Sequence, residues 1–327
     1  MLSALVAVAM LVASGAVAAE QARFVRIGTG PVGGTYFPVG GAISTMISEP
    51  PGAAPCGQGG TCGVPGLIAA AVSTQGSPDN LRKMTSGALE LALCQADVAR
   101  DALKGEGAFA RQPIPSLRAI GNLFPEAVHI IVRVGAIRTV NDLRGRRVSV
   151  GEANSGTLAA ARLVLQAYGM RIREIEPVYE RLARSVDMLI AGDIDALFMV
   201  GGAPIAAVAL AAETIPIALL PIADRQAERM IAAQPQFFRS SIDRGAYHGV
   251  PATSTVAVRA QLLALASMPD DLVFAITRAL WDERNRKLLD AIPIGIQIRR
   301  DEATENLSVP LHPGARRYYL ESKQATP

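Results

Sequence analysis

The chain of 327 residues has only three cysteines, three histidines and one tryptophan, and these sparse residue types form no catalytic pattern. His129 stands in an apolar run, His248 in the loop GAYHGV and His312 in a terminal HPG. No G-x-S-x-G is present to raise a serine nucleophile beside any of them, which leaves Ser-His-Asp hydrolysis without a starting point. Ser155 in NSGT is the nearest serine candidate, but as a helix cap it is committed to backbone N–H groups. A zinc site built on Cys56 and Cys62 needs a second cysteine or histidine pair close by, and none is there. Runs of one charge are also missing. The 32 Lys and Arg are scattered among 29 Asp and Glu, so no basic stripe exists for nucleic acid. Beyond the amino terminus no apolar run is long enough for a membrane span. The nearest, residues 189–222, is broken by Asp193, Asp195 and Glu213. Asp193 and Asp195 follow Gly192 and precede ALFMV, which reads as a turn entering a strand and not as a pair of catalytic carboxylates.

What is present is a half-apolar, lightly charged chain, 50% hydrophobic and 19% charged, long enough to bury the cores of two ordinary domains. Residues 1–19, MLSALVAVAMLVASGAVAA, carry no ionisable side chain and end in small residues before Glu20, Gln21 and Arg23. That is the form of a secretory signal peptide cleaved after Ala18 or Ala19. The missing basic residue in its first segment leaves a mis-assigned start or an uncleaved anchor as the alternatives. Export places Cys56 and Cys62, which flank GQGGT in a turn-rich insert, where a disulfide can form, a reduced pair being the other possibility. Cys94 closes the apolar run LELALC and reads as a small buried hydrophobe.

The stretch Phe24 to Gly41, FVRIGTGPVGGTYFPVGG, runs from an apolar strand through a glycine-rich loop into a helix beginning near Thr35. Gly28, Gly30 and Gly33 spell G-x-G-x-x-G. However, the second strand and acidic residue of a dinucleotide site are replaced by the proline and cysteine insert. A helix is expected over residues 41–48, a strand over 67–73, a helix with Ser77 as its cap and Pro78 in its first position, and a strand over 89–94 ending at Gln95. Strands at 117–124 and 128–132, separated by Pro125, Glu126 and Ala127, mark a crossing into a second unit. The pattern then restarts: VRIGTGPVGGT at 25–35 resembles VSVGEANSGT at 148–157, and SGALELALCQ at 86–95 resembles AGDIDALFMV at 191–200. The C-terminal part contributes a strand at 254–258, a helix from Pro269 to about Leu289 and HPGARRYYLES, expected to return to the first unit. Alternating strands and helices imply α/β lobes with parallel sheets, ligands lying at the carboxyl ends of the strands. Thr35, Tyr36, Ser77, Gln95, Asn154, Ser155 and Thr157 all fall at such positions. As a set of hydroxyl, amide and N–H donors they suit an anionic ligand.

The same segments carry a family resemblance. IGTGPVGGTYFPVGGAI, STQGSPDNLRKMTSGALELALCQADVA, LRGRRVSVGEANSGT, GDIDALFMVGG and LHPGARRYYLE together resemble the TAXI family of substrate-binding proteins of tripartite ATP-independent periplasmic (TRAP) transporters, across nearly the whole mature chain. The resemblance implies a two-lobe periplasmic binding protein fold of type II-like form. Each lobe would be a mixed, mainly parallel sheet with covering helices, with residues 20–125 and 254–327 in lobe 1, 126–253 in lobe 2 and a hinge between them. It implies a monomeric receptor that closes on a small organic anion, an amino acid such as glutamate or a dicarboxylate, and delivers it to a membrane permease, without catalysis, cofactor or metal. Gly34, Thr35, Tyr36, Ser77, Gln95, Asn154, Ser155, Gly156, Thr157 and Gly201 are the positions expected to line the cleft. VGGAP at 200–204 stands where the family is usually richer in aromatics. A sensor module acting on a membrane signalling partner would share every one of these features and is the alternative.

Overall fold

The structure is a computed structural model describing residues 22–222 and 224–324. The expected signal peptide, residues 1–19, lies outside them. The chain begins with strand β1 (Arg23–Gly28), helix α1 (Tyr36–Ile47), the short β2 (Ser48–Glu49) and β3 (Val64–Pro65), then β4 (Leu67–Val72), α2 (Ser77–Thr85), β5 (Leu91–Gln95) and α3 (Ala96–Lys104). A long β6 (Leu117–Arg133) leads into β7 (Arg147–Ser149), α4 (Gly156–Ala167), β8 (Glu176–Val178), α5 (Leu182–Ala191), β9 (Ala196–Gly201), α6 (Ala206–Thr214) and β10 (Ile217–Leu219). After α7 (Asp224–Ala233) and β11 (Phe238–Ile242), a second long strand β12 (Thr253–Leu265) returns, followed by α8 (Asp270–Leu280), α9 (Arg286–Asp290) and α10 (Pro313–Gln324).

The main sheet has the order β4-β1-β5-β12-β6-β9-β7-β8. Read outward from its centre the two halves mirror each other: β1 lies parallel between β4 and β5, and β7 lies parallel between β8 and β9. The two segments that resemble each other in sequence, around β1–α1 and β7–α4, therefore occupy equivalent places. Strands β5 and β9, LALCQ and ALFMVG, are buried along their whole length, as expected of parallel strands covered on both faces. Between the halves run β6 and β12, antiparallel to one another. Ile120, Leu123 and Phe124 of β6 and Ala260, Leu262 and Ala264 of β12 pack with Val25 and Ile27. Val128, Ile130 and Val132 of β6 pack with Val148 and Val164, and so do Val256 and Val258 of β12. The two long strands thus change cores at Pro125–Glu126 and at Arg259, residues that face each other where the register shifts.

Three local readings change in the structure. The strands expected at 117–124 and 128–132 are one continuous strand, because Pro125 sits where the irregular pairing with β12 demands no regular ladder bond from it. The helix expected from Pro269 to Leu289 is interrupted after Leu280. There Asn285 turns inward, donating to Met46 O, Cys62 O and Ala279 O and accepting from Cys62 N–H at 3.0 Å. The helix expected from residue 41 is the second half of α1, which runs unbroken through Gly40 and Gly41. Gly40 is small because a Cβ there would lie 2.3 Å from the Thr29 methyl.

Cys56 and Cys62 form a disulfide, and Cys94 is free and buried. The bridge closes a loop with a sequence separation of 6, and Asn285 already ties Cys62 to the body. Replacing both bridge cysteines by serine is expected to lower unfolding stability by about 2 kcal/mol, the loop-entropy value for so short a ring. Ligand affinity is expected to stay unchanged, since neither residue borders the cleft described below. Urea unfolding and calorimetry on the same preparation check both parts.

Candidate functional site

Three helix N-termini open on the junction of the halves. In α1 the side chain of the cap residue Thr35 makes no bond to its own helix. Its hydroxyl donates to Gly202 O at 3.0 Å, just beyond β9, and Pro38 leaves the third helical position without an N–H. In α2 the cap is Gly76 and not Ser77. Its φ of 108° is open to glycine and strained for other residues. Ser77 is instead the first helical residue, and its hydroxyl accepts from Gln95 N–H at 3.0 Å, fixing α2 to the end of β5. In α4 Ser155 is a true cap, accepting from Leu158 N–H at 3.1 Å and donating to Glu152 O at 2.7 Å. That leaves the first two N–H groups of α4, those of Gly156 and Thr157, with no intrahelical partner.

These ends surround a cavity of ≈ 50 Å³. One water needs roughly 10–15 Å³ on this scale, so the space suits a few waters or a small molecule and not a polymer. Gly34, Thr35, Tyr36, Ser77, Gln95, Ser155, Gly156 and Thr157 all line it, from both halves of the sheet. Asn154 does not: it is exposed and accepts from Arg82 Nη1 at 2.8 Å, clasping α4's loop to α2 at the rim. Gly201 stands just behind the wall, where a Cβ would come within 2.9 Å of Thr35 Oγ1. The Thr157 hydroxyl is turned to β9, accepting from Val200 N–H at 3.4 Å and lying 3.7 Å from Met199 Sδ. Of the G-x-G-x-x-G glycines, Gly28 is needed for packing, since a Cβ would meet Leu89 at 2.4 Å and the buried Asn80 amide at 2.7 Å.

Sequence reasoning missed the floor. Glu126, inside the break expected between two strands, is 2% exposed and lines the cavity, and Tyr36 donates to its Oε1 at 2.5 Å. Burial, reinforced by the charge of Asp97, pushes the Glu126 carboxyl well above the usual range despite the Tyr36 hydrogen bond. Ser149 and Ser185, hydrogen-bonded to each other at 2.6 Å, and Met199 complete the far wall. Only the interruption of an apolar run by a lone glutamate could have flagged Glu126 in advance. Among the described residues that line the cavity none is Lys or Arg, while Glu126, Glu152 and Glu180 all do. Gln95 is 3% exposed, and its Nε2 is buried without a partner, as is Gln75 Oε1.

Beneath the floor Asp97 is buried at the start of α3 with Oδ1 unpartnered, and burial raises its pKa from 3.8 to about 7. The native state therefore holds a proton that the unfolded chain has already lost. Stability contributed by this group is present below about pH 4 and declines as pH rises to about 7. Asp97→Asn is expected to flatten that decline and to be more stable than wild type at pH 8 by a margin that shrinks toward pH 5. Thermal melts across this range check it.

The halves touch around the cavity. Ala207 N–H donates to Gly33 O at 3.2 Å, and Gly76 approaches Gly156 N. On the opposite rim Gln234, the residue that follows α7, accepts from Arg100 and donates to Asp101 Oδ1 at 3.2 Å, both on α3. Gly156 abuts Gln95 so closely that a Cβ on it would lie 1.4 Å from Gln95 Oε1. Among the described residues no group of three His, Cys, Asp or Glu is placed to hold a metal ion, and no helix is long and apolar enough to cross a membrane.

Two mirrored α/β halves joined by two strands, with a small cavity at the carboxyl ends of the parallel strands, define a two-lobe periplasmic binding protein fold. Over residues 27–322 the chain matches the NMT1-like family, and it belongs to that family. A solved protein of Bordetella bronchiseptica RB50 superposes with a TM-score of 0.50 at 15% identity, covering 92% of this chain and 83% of that one, a likeness of fold alone. The alkanesulfonate-binding protein SsuA from Xanthomonas axonopodis pv. citri, bound to MOPS, gives 0.46 at 16% identity over 87% and 86% of the two chains. The GluR0 ligand-binding core from Nostoc punctiforme, in complex with L-glutamate, gives 0.44 at 16% over 82% and 97%.

Proposed function

We propose that this chain is a TAXI-type solute receptor of a TRAP transporter. In this reading it is exported to the periplasm, captures a small organic acid, an amino acid such as glutamate or a dicarboxylate, and presents it to a membrane permease. The observation that carries the reading is the small cavity between two mirrored halves, with the N-termini of α1, α2 and α4 open to it. Partial positive charge at a helix N-terminus favours a carboxylate there. Lining residues from both halves mean that a bound acid bridges them. Such an acid binds the closed arrangement better than an open one, and that differential affinity is what drives closure. The changes of core at Pro125–Glu126 and Arg259 are the hinge, and lobe 2 lies between those crossings. The rim contacts, Arg82 with Asn154 and Gln234 with α3, form only when the lobes meet. The chain carries a ligand and does not transform it.

Thermal denaturation of the mature chain against amino acids and carboxylic acids tests this. A specific ligand raises the midpoint by mass action, by about 2.7 kcal/mol of stability at a hundredfold excess over Kd. That ligand is expected to be recovered unchanged and to enter vesicles carrying the cognate permease only when the receptor is added. Turnover of the ligand, or uptake indifferent to the receptor, overturns the reading.

A further inference from the structure

The segment between β9 and α6 carries much of the contact between the halves. Gly202 O accepts from the Thr35 hydroxyl at 3.0 Å, and Ala207 N–H donates to Gly33 O at 3.2 Å. Gly202 packs so tightly on the other half that a Cβ there would come within 2.5 Å of Ile294 and 3.1 Å of Phe124. Residues 201–207 are thus the face with which the second half meets the start of α1. A buried chain of hydrogen bonds fixes this face to its own half. His129 of β6 is fully buried opposite Met199 of β9, and its Nδ1 lies 2.9 Å from Ala127 O. Its Nε2 lies 2.9 Å from the hydroxyl of Tyr247, which in turn accepts from Ile205 N–H at 3.0 Å. Burial pushes the pKa of the imidazole down to about 4, so the ring is neutral at physiological pH. With Nδ1–H donating to the carbonyl, Nε2 must accept, and it takes the Tyr247 proton.

Ile205 stands immediately before α6 and has no side-chain group with which to cap it. Its N–H is caught by a tyrosine from the connection between β11 and β12, inside an apolar cluster that includes Leu197, Val208 and Val250. Neither His129 nor Tyr247 lines the cavity. Resting on the solute-receptor reading, we propose that His129 and Tyr247 are positioning residues for closure: they hold residues 201–207 where Gly33 and Thr35 can bond them, and so set the balance of open and closed states without touching the ligand. Apolar packing alone leaves a segment some freedom to slide, whereas a hydrogen bond is directional and weakens steeply off its geometry. Without the chain, Ile205 N–H is buried with no acceptor, and the segment shifts to relieve it. The bonds to Gly33 O and from Thr35 then lose their alignment, and apparent affinity falls with the closed population.

Cross-linking of the ligand-free chain reads closure directly. A Cβ on Gly33 would lie 3.2 Å from the Cβ of Ala207, slightly inside the span of about 3.5–4.5 Å that disulfides use. Gly33→Cys with Ala207→Cys therefore bridges the halves when they meet and not when they are apart. Cys56 and Cys62 are already bonded and Cys94 is buried, so the new pair is read without interference. Under a mild oxidant, adding Tyr247→Phe, which keeps the ring and removes the hydroxyl, is expected to slow bridging about fivefold to tenfold, the weight of one buried hydrogen bond. His129→Leu is expected to slow it similarly, while His129→Gln, still able to accept from Tyr247, stays close to the parent rate. An unchanged rate in folded Tyr247→Phe and His129→Leu chains overturns the positioning role, whatever happens to their urea midpoints, because a purely structural pair costs stability alone. Amide hydrogen exchange on the wild-type chain needs no variant. Ile205 N–H is expected to exchange only on global unfolding and Ala207 N–H already on opening of the halves, so equal protection of the two overturns the proposal. A parent cysteine pair that never bridges shows halves that do not meet, and overturns the receptor reading as well.

Discussion

Gly156→Ala is expected to weaken ligand binding by roughly 5- to 150-fold, the equivalent of the 1–3 kcal/mol that overpacking usually costs. The stability of the ligand-free protein should be nearly unaffected. The added methyl would fall 1.4 Å from Gln95 Oε1 and 2.6 Å from its Cδ. Gln95 is buried at the end of β5 and has little room to swing aside. Alanine is well tolerated in the first turn of a helix, so α4 itself loses nothing when the lobes are apart. The penalty thus falls on the closed state alone. Calorimetry for affinity and urea unfolding for stability separate the two, and an unfolding midpoint that drops as far as the affinity would show that the contact belongs to the resting fold instead.

Thr157→Pro is expected to reduce affinity by roughly 10- to 150-fold, corresponding to the 1.5–3 kcal/mol of a charge-assisted hydrogen bond. Proline deletes one of the two N–H groups left free at the start of α4, yet the first turn accepts it without breaking the helix. The side chain contributes separately, because Thr157 Oγ1 accepts from Val200 N–H at 3.4 Å and lies 3.7 Å from Met199 Sδ. Thr157→Val controls for that tie: it keeps the N–H and removes the hydroxyl, and its affinity is expected to lie much closer to wild type. A folded Thr157→Pro protein with wild-type affinity would remove α4 from the site.

How far the site could be read in advance follows from what each residue does locally. Thr35, Ser155 and Gly156 sit at strand-to-helix junctions, and junctions have local signatures in glycine, serine and threonine spacing that survive without knowledge of the fold. The self-similarity of residues 25–35 and 148–157 exposed the mirrored sheet for the same reason, since a strand, a tight loop and a helix start repeat as one unit. Glu126 leaves only a faint trace in the sequence, a lone glutamate inside an apolar run. Its importance depends on Pro125 opposing Arg259 across a long strand pair, a contact between residues distant in sequence. Ser77 kept its place but not its role: in isolation it looks like a cap, whereas the neighbouring β5 claims its hydroxyl through Gln95 N–H. Asn154 likewise belongs to the right loop, yet Arg82 on the facing helix draws it to the rim. The break in the helix after Leu280 comes from Asn285 serving the disulfide insert, a demand set by residues far upstream.

The most direct measurement is native mass spectrometry of the chain expressed with residues 1–19 in place and purified from the periplasmic fraction without dialysis. One non-covalent adduct of small-molecule mass per chain, released on unfolding, is expected, with a much lower occupancy in Gly156→Ala prepared in parallel. Equal occupancy in the two proteins, or a wild-type chain that carries no adduct and gains none from any amino acid or carboxylic acid, would contradict the solute-receptor reading.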